Sequence, residues 1–160
     1  MNIDKFETQV AVLHEAAGEM GGNIAFIEKE LPGIDLPNEE REHIAEACSY
    51  FKNELYDVRT EIRNLEDKLG MHPGEEPYDP DIVNPDPRVT MEFIEDALRS
   101  GIACMRGLVS RLERAPHGTR GMSLALVLVM ESATNIFEAY FKANTALNKI
   151  RAHLVGNGAG

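Results

Sequence analysis

A chain of 160 residues, 43% of them apolar and 27% charged, has the composition of a folded globular protein with enough apolar material for a real core. Its net charge of −11, its lack of tryptophan and an aromatic content of 6% argue against a phosphate-neutralising surface and against base-stacking platforms. DNA, RNA and anionic membrane are therefore not expected partners.

The charge is uneven: residues 1–71 hold 16 acids against 7 bases, and residues 89–160 hold 6 acids against 8 bases. The second half could accept an acidic partner, and the first is one candidate. Cys48 and Cys104 lie one in each half, with no C-x-x-C spacing. The opening MNIDKFETQV lacks the basic start and apolar run of a signal peptide. The longest apolar run, Leu124 to Met130, falls short of the ~18 residues of a membrane span. These features predict a cytoplasmic protein with free thiols.

A first helix is expected from about Asp4 to Leu31. Its apolar residues Ile3, Phe6, Val10, Leu13, Ala17, Met20, Ile24, Ile27 and Leu31 alternate three and four apart, the spacing of a coiled-coil seam. Gly18, Gly21 and Gly22 interrupt it, which implies a bend or a close neighbour. The segment Pro32 to Pro37 reads as a turn. Asn38 then offers an N-cap and Glu39 and Glu40 favour the helix start, for a second helix running to about Leu69. Its seam is Ile44, Cys48, Phe51, Leu55, Val58, Ile62, Leu65 and Leu69, and Gly70 terminates it.

Residues 72–88 are rich in proline and read as an extended linker. A third helix is expected from Asp86-Pro87 or Thr90 to about Arg114, then a turn at Ala115 to Gly118, then a fourth helix capped by Thr119. The first turns of that fourth helix are apolar on nearly every side and are expected to be covered all round. The organisation expected is an N-terminal hairpin (1–71), the linker, a C-terminal hairpin (89–155) and a flexible tail (156–160), forming an all-α four-helix bundle that self-associates.

If the first turn is centred between residues 34 and 35, Glu15 and Glu54 fall at one height, with Glu19 and Asp57 within a turn of them. Such a set of oxygens suits Mg²⁺, which could polarise a phosphoryl oxygen or activate water. Leu13-His14-Glu15-Ala16-Ala17-Gly18-Glu19-Met20 and Asn53-Glu54-Leu55-Tyr56-Asp57-Val58 resemble the two motifs of the MazG-like all-α nucleoside triphosphate pyrophosphohydrolases. Ala16 stands where that first motif has a glutamate, and the gap between the motifs is longer than in the family. The resemblance implies Mg²⁺ held by Glu15, Glu19, Glu54 and Asp57, and cleavage of a nucleotide to a monophosphate and pyrophosphate.

The stretch from Arg120 to Leu126, followed by Glu131, resembles phage-encoded hairpin proteins that sequester cyclic nucleotide signals, which implies Arg120 as a phosphate ligand. Glu40 and His43 form an E-x-x-H without the second copy a di-iron bundle needs. Arg111 and His117 have the spacing of an Arg/His nuclease pair. Glu131 ends an apolar run and is expected to need a partner, for which Arg106 is the candidate. With no complete catalytic motif, the leading expectation is a non-enzymatic module that binds a protein partner or itself and needs no cofactor. Nucleotide pyrophosphohydrolysis with Mg²⁺ and nucleotide sequestration are the alternatives.

Overall fold

The computed structural model describes residues 3–72, 74, 86–116 and 118–158, with side-chain surroundings omitted for residues 3 and 156–158. It is an all-α four-helix bundle of two hairpins. Helix α1 spans Ile3–Glu30 and continues into a single 3-10 turn at Leu31–Gly33. Helix α2 spans Asn38–Lys68, α3 Pro87–Arg114 and α4 Arg120–Gly158. Most of the linker expected at 72–88, and His117 of the Arg/His pair, lie outside the described residues. Helix α4 reaches Gly158, within the segment read from sequence as a tail.

Local chemistry accounts for the helix ends. The Asp86 carboxylate accepts from the Arg88 amide at 3.0 Å, and Pro87 takes the first helical position, where its missing N–H costs nothing. The Thr119 hydroxyl accepts from the Met122 amide at 3.2 Å. Gly70 closes α2 with a φ of 75°, a left-handed conformation that favours glycine. Asn38 is the first residue inside α2 and not its cap; Pro37 holds the cap position with no side-chain bond.

The seams read from sequence are buried. Phe6, Val10, Leu13, Met20, Ile24 and Ile27 of α1 and Phe51, Leu55, Val58, Ile62 and Leu65 of α2 enter one core with Met91, Ile94, Leu98 and Met105 of α3 and Val129, Ile136, Leu147 and Ile150 of α4. The closest pairings run between hairpins, α1 against α4 and α2 against α3. Small residues permit this approach. Ala139, Ala143 and Ala146 of α4 and Ala16 and Ala17 of α1 are all buried, and Gly101 of α3 receives the Phe51 ring. A Cβ on Gly101 would stand 2.9 Å from that ring.

The first hairpin does not have the register that a symmetric tight turn would give. Leu55 and Arg59 pack at Gly21, His14 meets Glu66, and Glu28 pairs with Lys52 at 3.0 Å. Relative to a turn centred between residues 34 and 35, α2 is displaced by about two to three helical turns, roughly 10–16 Å. The cause is the backbone between the helices. Ile34 and Pro37 are extended, and extended chain covers about 3.3 Å per residue against 1.5 Å in a helix. The chain therefore runs past the end of α1 before α2 turns back. The Arg41 guanidinium fixes this connection by donating to the Leu31 and Ile34 carbonyls at 2.7 and 2.6 Å.

Of the three glycines in α1, only Gly21 has a close neighbour: a Cβ there would meet the Arg59 guanidinium at 2.8 Å. Gly18 and Gly22 face open space. Gly18→Ala and Gly22→Ala are expected to raise stability by about 0.5–1 kcal/mol each, because alanine loses less backbone entropy in a helix. Denaturant titration with an unchanged slope and a later midpoint checks this.

Candidate functional site

The fourth helix carries two apolar faces. The inner one holds Val129, Ala133, Ile136, Ala143, Leu147, Ile150 and Leu154 in the core. The outer one holds Val127, Met130, Phe137 and Phe141, spaced with Thr134 in steps of three and four, so they line up along one side of the helix. Val127 is 53% exposed and Phe141 72%. The first turns of α4 are thus not covered all round, contrary to the sequence expectation. Among the described residues α4 packs chiefly against α1 and α3, and a helix so placed keeps its outward side open.

The surroundings of this face are specific. Beside Leu124 and Val127, Phe26 of α1 and Ile34 extend the apolar surface, with Glu30 and Glu131 at its edge. Further along, Thr134, Phe137, Glu138, Phe141 and Lys142 line a shallow depression of about 500 Å³. Lys142 is tied to Glu19 at 3.4 Å, and Asn135 donates to Asn23 at 3.2 Å, which fixes α4 against α1. On the opposite edge the Arg106 guanidinium lies over the Phe137 ring, 5.5 Å from its centroid. Glu131 is exposed, so it needs no buried partner, and Arg106 serves Phe137 instead.

The four acids of the sequence reading fall into two pairs on different surfaces. Glu15 is exposed and Glu19 pairs with Lys142 of α4. Glu54 and Asp57 instead line a groove between α2 and α3 with Glu61, Asp96 and Phe93. The displaced register keeps Glu15 and Glu54 about two to three turns apart. Among the described residues, no group of three or more His, Cys, Asp or Glu is placed to hold a metal ion. Ala16, at the position where the MazG-like motif has a glutamate, is fully buried in the core. Arg120 is exposed at the first position of α4.

Loss of solvent pushes the Glu54 carboxyl above its ordinary range, the neighbouring Asp57 adds to this, and a bond from Tyr50 opposes it. A raised folded value means that the native state binds the proton more tightly than the unfolded chain, so this group's contribution falls as pH rises. Glu54→Gln is accordingly expected to be slightly more stable than the parent at pH 7, with the gain vanishing as both forms are protonated in acid. Urea melts at pH 7 and pH 3 measure the difference.

Comparison with protein-family models, with characterised proteins and with solved structures returned no match for this chain. Its own geometry is therefore the guide to function.

Two polar clusters escaped the sequence reading. Glu66 is only 8% exposed, yet its carboxylate lies 2.6 Å from the His14 Nε2 and 2.8 Å from the His72 Nε2, with Arg63 at 3.8 Å. Glu66 follows the seam residue Leu65, so the sequence places it on a solvated flank; the only hint is a histidine in each of two distant segments. The second cluster joins Arg111 of α3 to Glu40 at 3.2 Å and Glu39 at 3.6 Å. Glu40 is thereby engaged away from His43, which lies 3.9 Å from Glu39, so the E-x-x-H does not act as a unit.

Burial raises both thiols. Cys48 is buried on the α2 seam, and burial pushes its thiol up to about 12. Cys104 is half-buried and also raised by burial. Since the thiolate is the nucleophile, native Cys48 is expected to resist alkylation at pH 8 while the unfolded chain yields two reactive thiols. Thiol titration with and without denaturant tests this.

The Arg120–Val155 stretch is long and apolar enough, by length and composition, to cross a membrane, although its longest unbroken apolar run is Leu124 to Met130. The same composition serves a core helix of a bundle, and the inner face of α4 is core here.

Proposed function

We propose that this protein is a non-enzymatic helical binding module, a rigid four-helix bundle that presents the outer face of α4 to another protein. The observation that carries this reading is the row of exposed apolar side chains at Val127, Met130 and Phe141 on one side of a single helix. Scattered exposed apolar residues are ordinary, but a contiguous row marks a contact surface. The row is held rigidly, because the other side of the same helix is locked in the core, and a preformed surface loses little entropy on binding.

The test is a display library of helical peptides panned against the parent protein and against a Val127→Glu/Phe141→Glu variant. Both positions are exposed, so the variant is expected to fold with an unchanged circular dichroism melt. The expected result is a set of peptides that bind the parent and lose at least tenfold in affinity for the variant. Peptides indifferent to the variant, or pyrophosphate release from nucleoside triphosphates with Mg²⁺, would overturn the reading.

A further inference from the structure

The outer face of α4 has a chemistry that selects its occupant. We propose that it seats an amphipathic helix of a partner protein carrying lysine or arginine along one edge. This rests on the binding-module reading above and narrows it to a partner class.

The shape comes first. Val127, Met130, Thr134, Phe137 and Phe141 repeat at three and four residues from 127 to 141, a rise of roughly 21 Å at 1.5 Å per residue, or about four turns. Repeats of this kind are complementary to another helix laid along them, whose side chains settle between successive rows. Thr134, the one polar residue in the row, donates its hydroxyl to the Met130 carbonyl at 2.9 Å. Its hydrogen is already used inside the helix, so covering the row strands no donor there.

Charge then decides between occupants. Along the α1 side of the row stand Glu30, Glu131 and Glu138, all exposed and none in an ion pair among the described residues, while Lys142 on that side is taken up by Glu19 at 3.4 Å. On the α3 side Arg106 is held over Phe137. A second copy packed antiparallel about a two-fold axis would bring like edges together, Glu131 and Glu138 against the same acids, and one packed parallel would offer those acids only Arg106, already held over Phe137. Both copies would also carry a net charge of −11. An anionic bilayer meets the same repulsion. A helix with an apolar stripe and basic residues on the side that faces α1 satisfies both the row and its acidic edge.

The experiment uses the full chain and two synthetic peptides of about 18 residues, built on one leucine stripe. One has lysines at the flanking positions and the other glutamates. Binding is read by fluorescence anisotropy at low and moderate salt. The lysine peptide is expected to bind, more weakly as salt rises, and the glutamate peptide is not. In a Glu131→Lys/Glu138→Lys variant the lysine peptide should lose at least tenfold in affinity while the glutamate peptide gains binding. A misfolded variant would not show that gain. A Glu54→Gln/Asp57→Asn/Glu61→Gln variant, neutralising the acidic groove between α2 and α3, should leave binding unchanged.

Loss of binding in that second variant and not in the first would overturn the proposal, as would equal binding of both peptides. If neither peptide binds while Val127→Glu/Phe141→Glu changes the sedimentation of the protein, the occupant is a second copy; this overturns the basic partner and leaves the binding module standing. Binding of parent, and not of that double variant, to neutral phosphatidylcholine vesicles would replace the helix with a lipid surface. No response in any arm would overturn both readings.

Discussion

Gly121→Ala is expected to lower the unfolding free energy by about 3 kcal/mol, the upper end of the usual cost of overpacking. Gly121 lies in the first turn of α4 and is buried against the connection between α1 and α2. A Cβ there would fall 1.7 Å from the Asp35 carbonyl oxygen and 2.8 Å from its carbon. These are backbone atoms, so no side-chain rotation relieves the overlap. The loop cannot yield easily, because the Arg41 guanidinium holds the Leu31 and Ile34 carbonyls. The start of α4 would have to move by more than 1 Å, dragging Met122 and Ala125 out of the core, where both are buried. The gain in helix propensity from alanine is at most ~1 kcal/mol and smaller at a helix start, so it does not reverse the sign. For a domain of this size the loss corresponds to a fall in Tm of roughly 10 °C. Differential scanning calorimetry of Gly121→Ala beside Gly18→Ala gives a direct contrast: the same change should destabilise at one site and stabilise at the other. An unchanged Tm for Gly121→Ala would mean that the hairpins do not dock at Asp35.

Removing the Glu66 carboxylate is expected to cost a similar amount, about 2–4 kcal/mol for Glu66→Ala. Breaking a buried charged cluster strands the partners as well as losing the contact. Here one carboxylate serves His14 of α1, His72 beyond the end of α2 and Arg63 one turn before it. His14 is half exposed and can turn to water, which places the cost below that of a fully enclosed ion pair. Glu66→Gln keeps one acceptor oxygen and should lose less than the alanine variant. A double-mutant cycle with His14→Ala isolates the contact between α1 and α2: a coupling of about 1 kcal/mol or more is expected. Additive effects of the two substitutions would show that the bond from His14 contributes nothing to holding the open end of the first hairpin.

The fold was legible in the sequence because periodicity is a local property. Phe6 through Leu31 and Ile44 through Leu69 repeat at three and four residues, and every seam residue whose surroundings are described lies in the core. Chain termination is local as well: Pro87 and Asp86 start α3, Thr119 caps α4 and Gly70 ends α2 in the conformation that favours glycine. What periodicity does not carry is the relative height of two helices. Extended backbone at Ile34 and Pro37 moved α2 by about two to three turns and separated Glu15 and Glu19 from Glu54 and Asp57, whose proximity depended wholly on that height. The sequence likewise shows that the first turns of α4 are apolar on nearly every side, but not which side the bundle leaves open. That followed from packing: alanines drew one face of α4 against α1, and Val127, Met130, Phe137 and Phe141 were turned outward with Glu131 and Glu138 beside them. Local pattern determined the helices, their ends and their core faces; only the tertiary structure decided their register and which apolar surface remained free, because both depend on contacts between residues far apart in the chain.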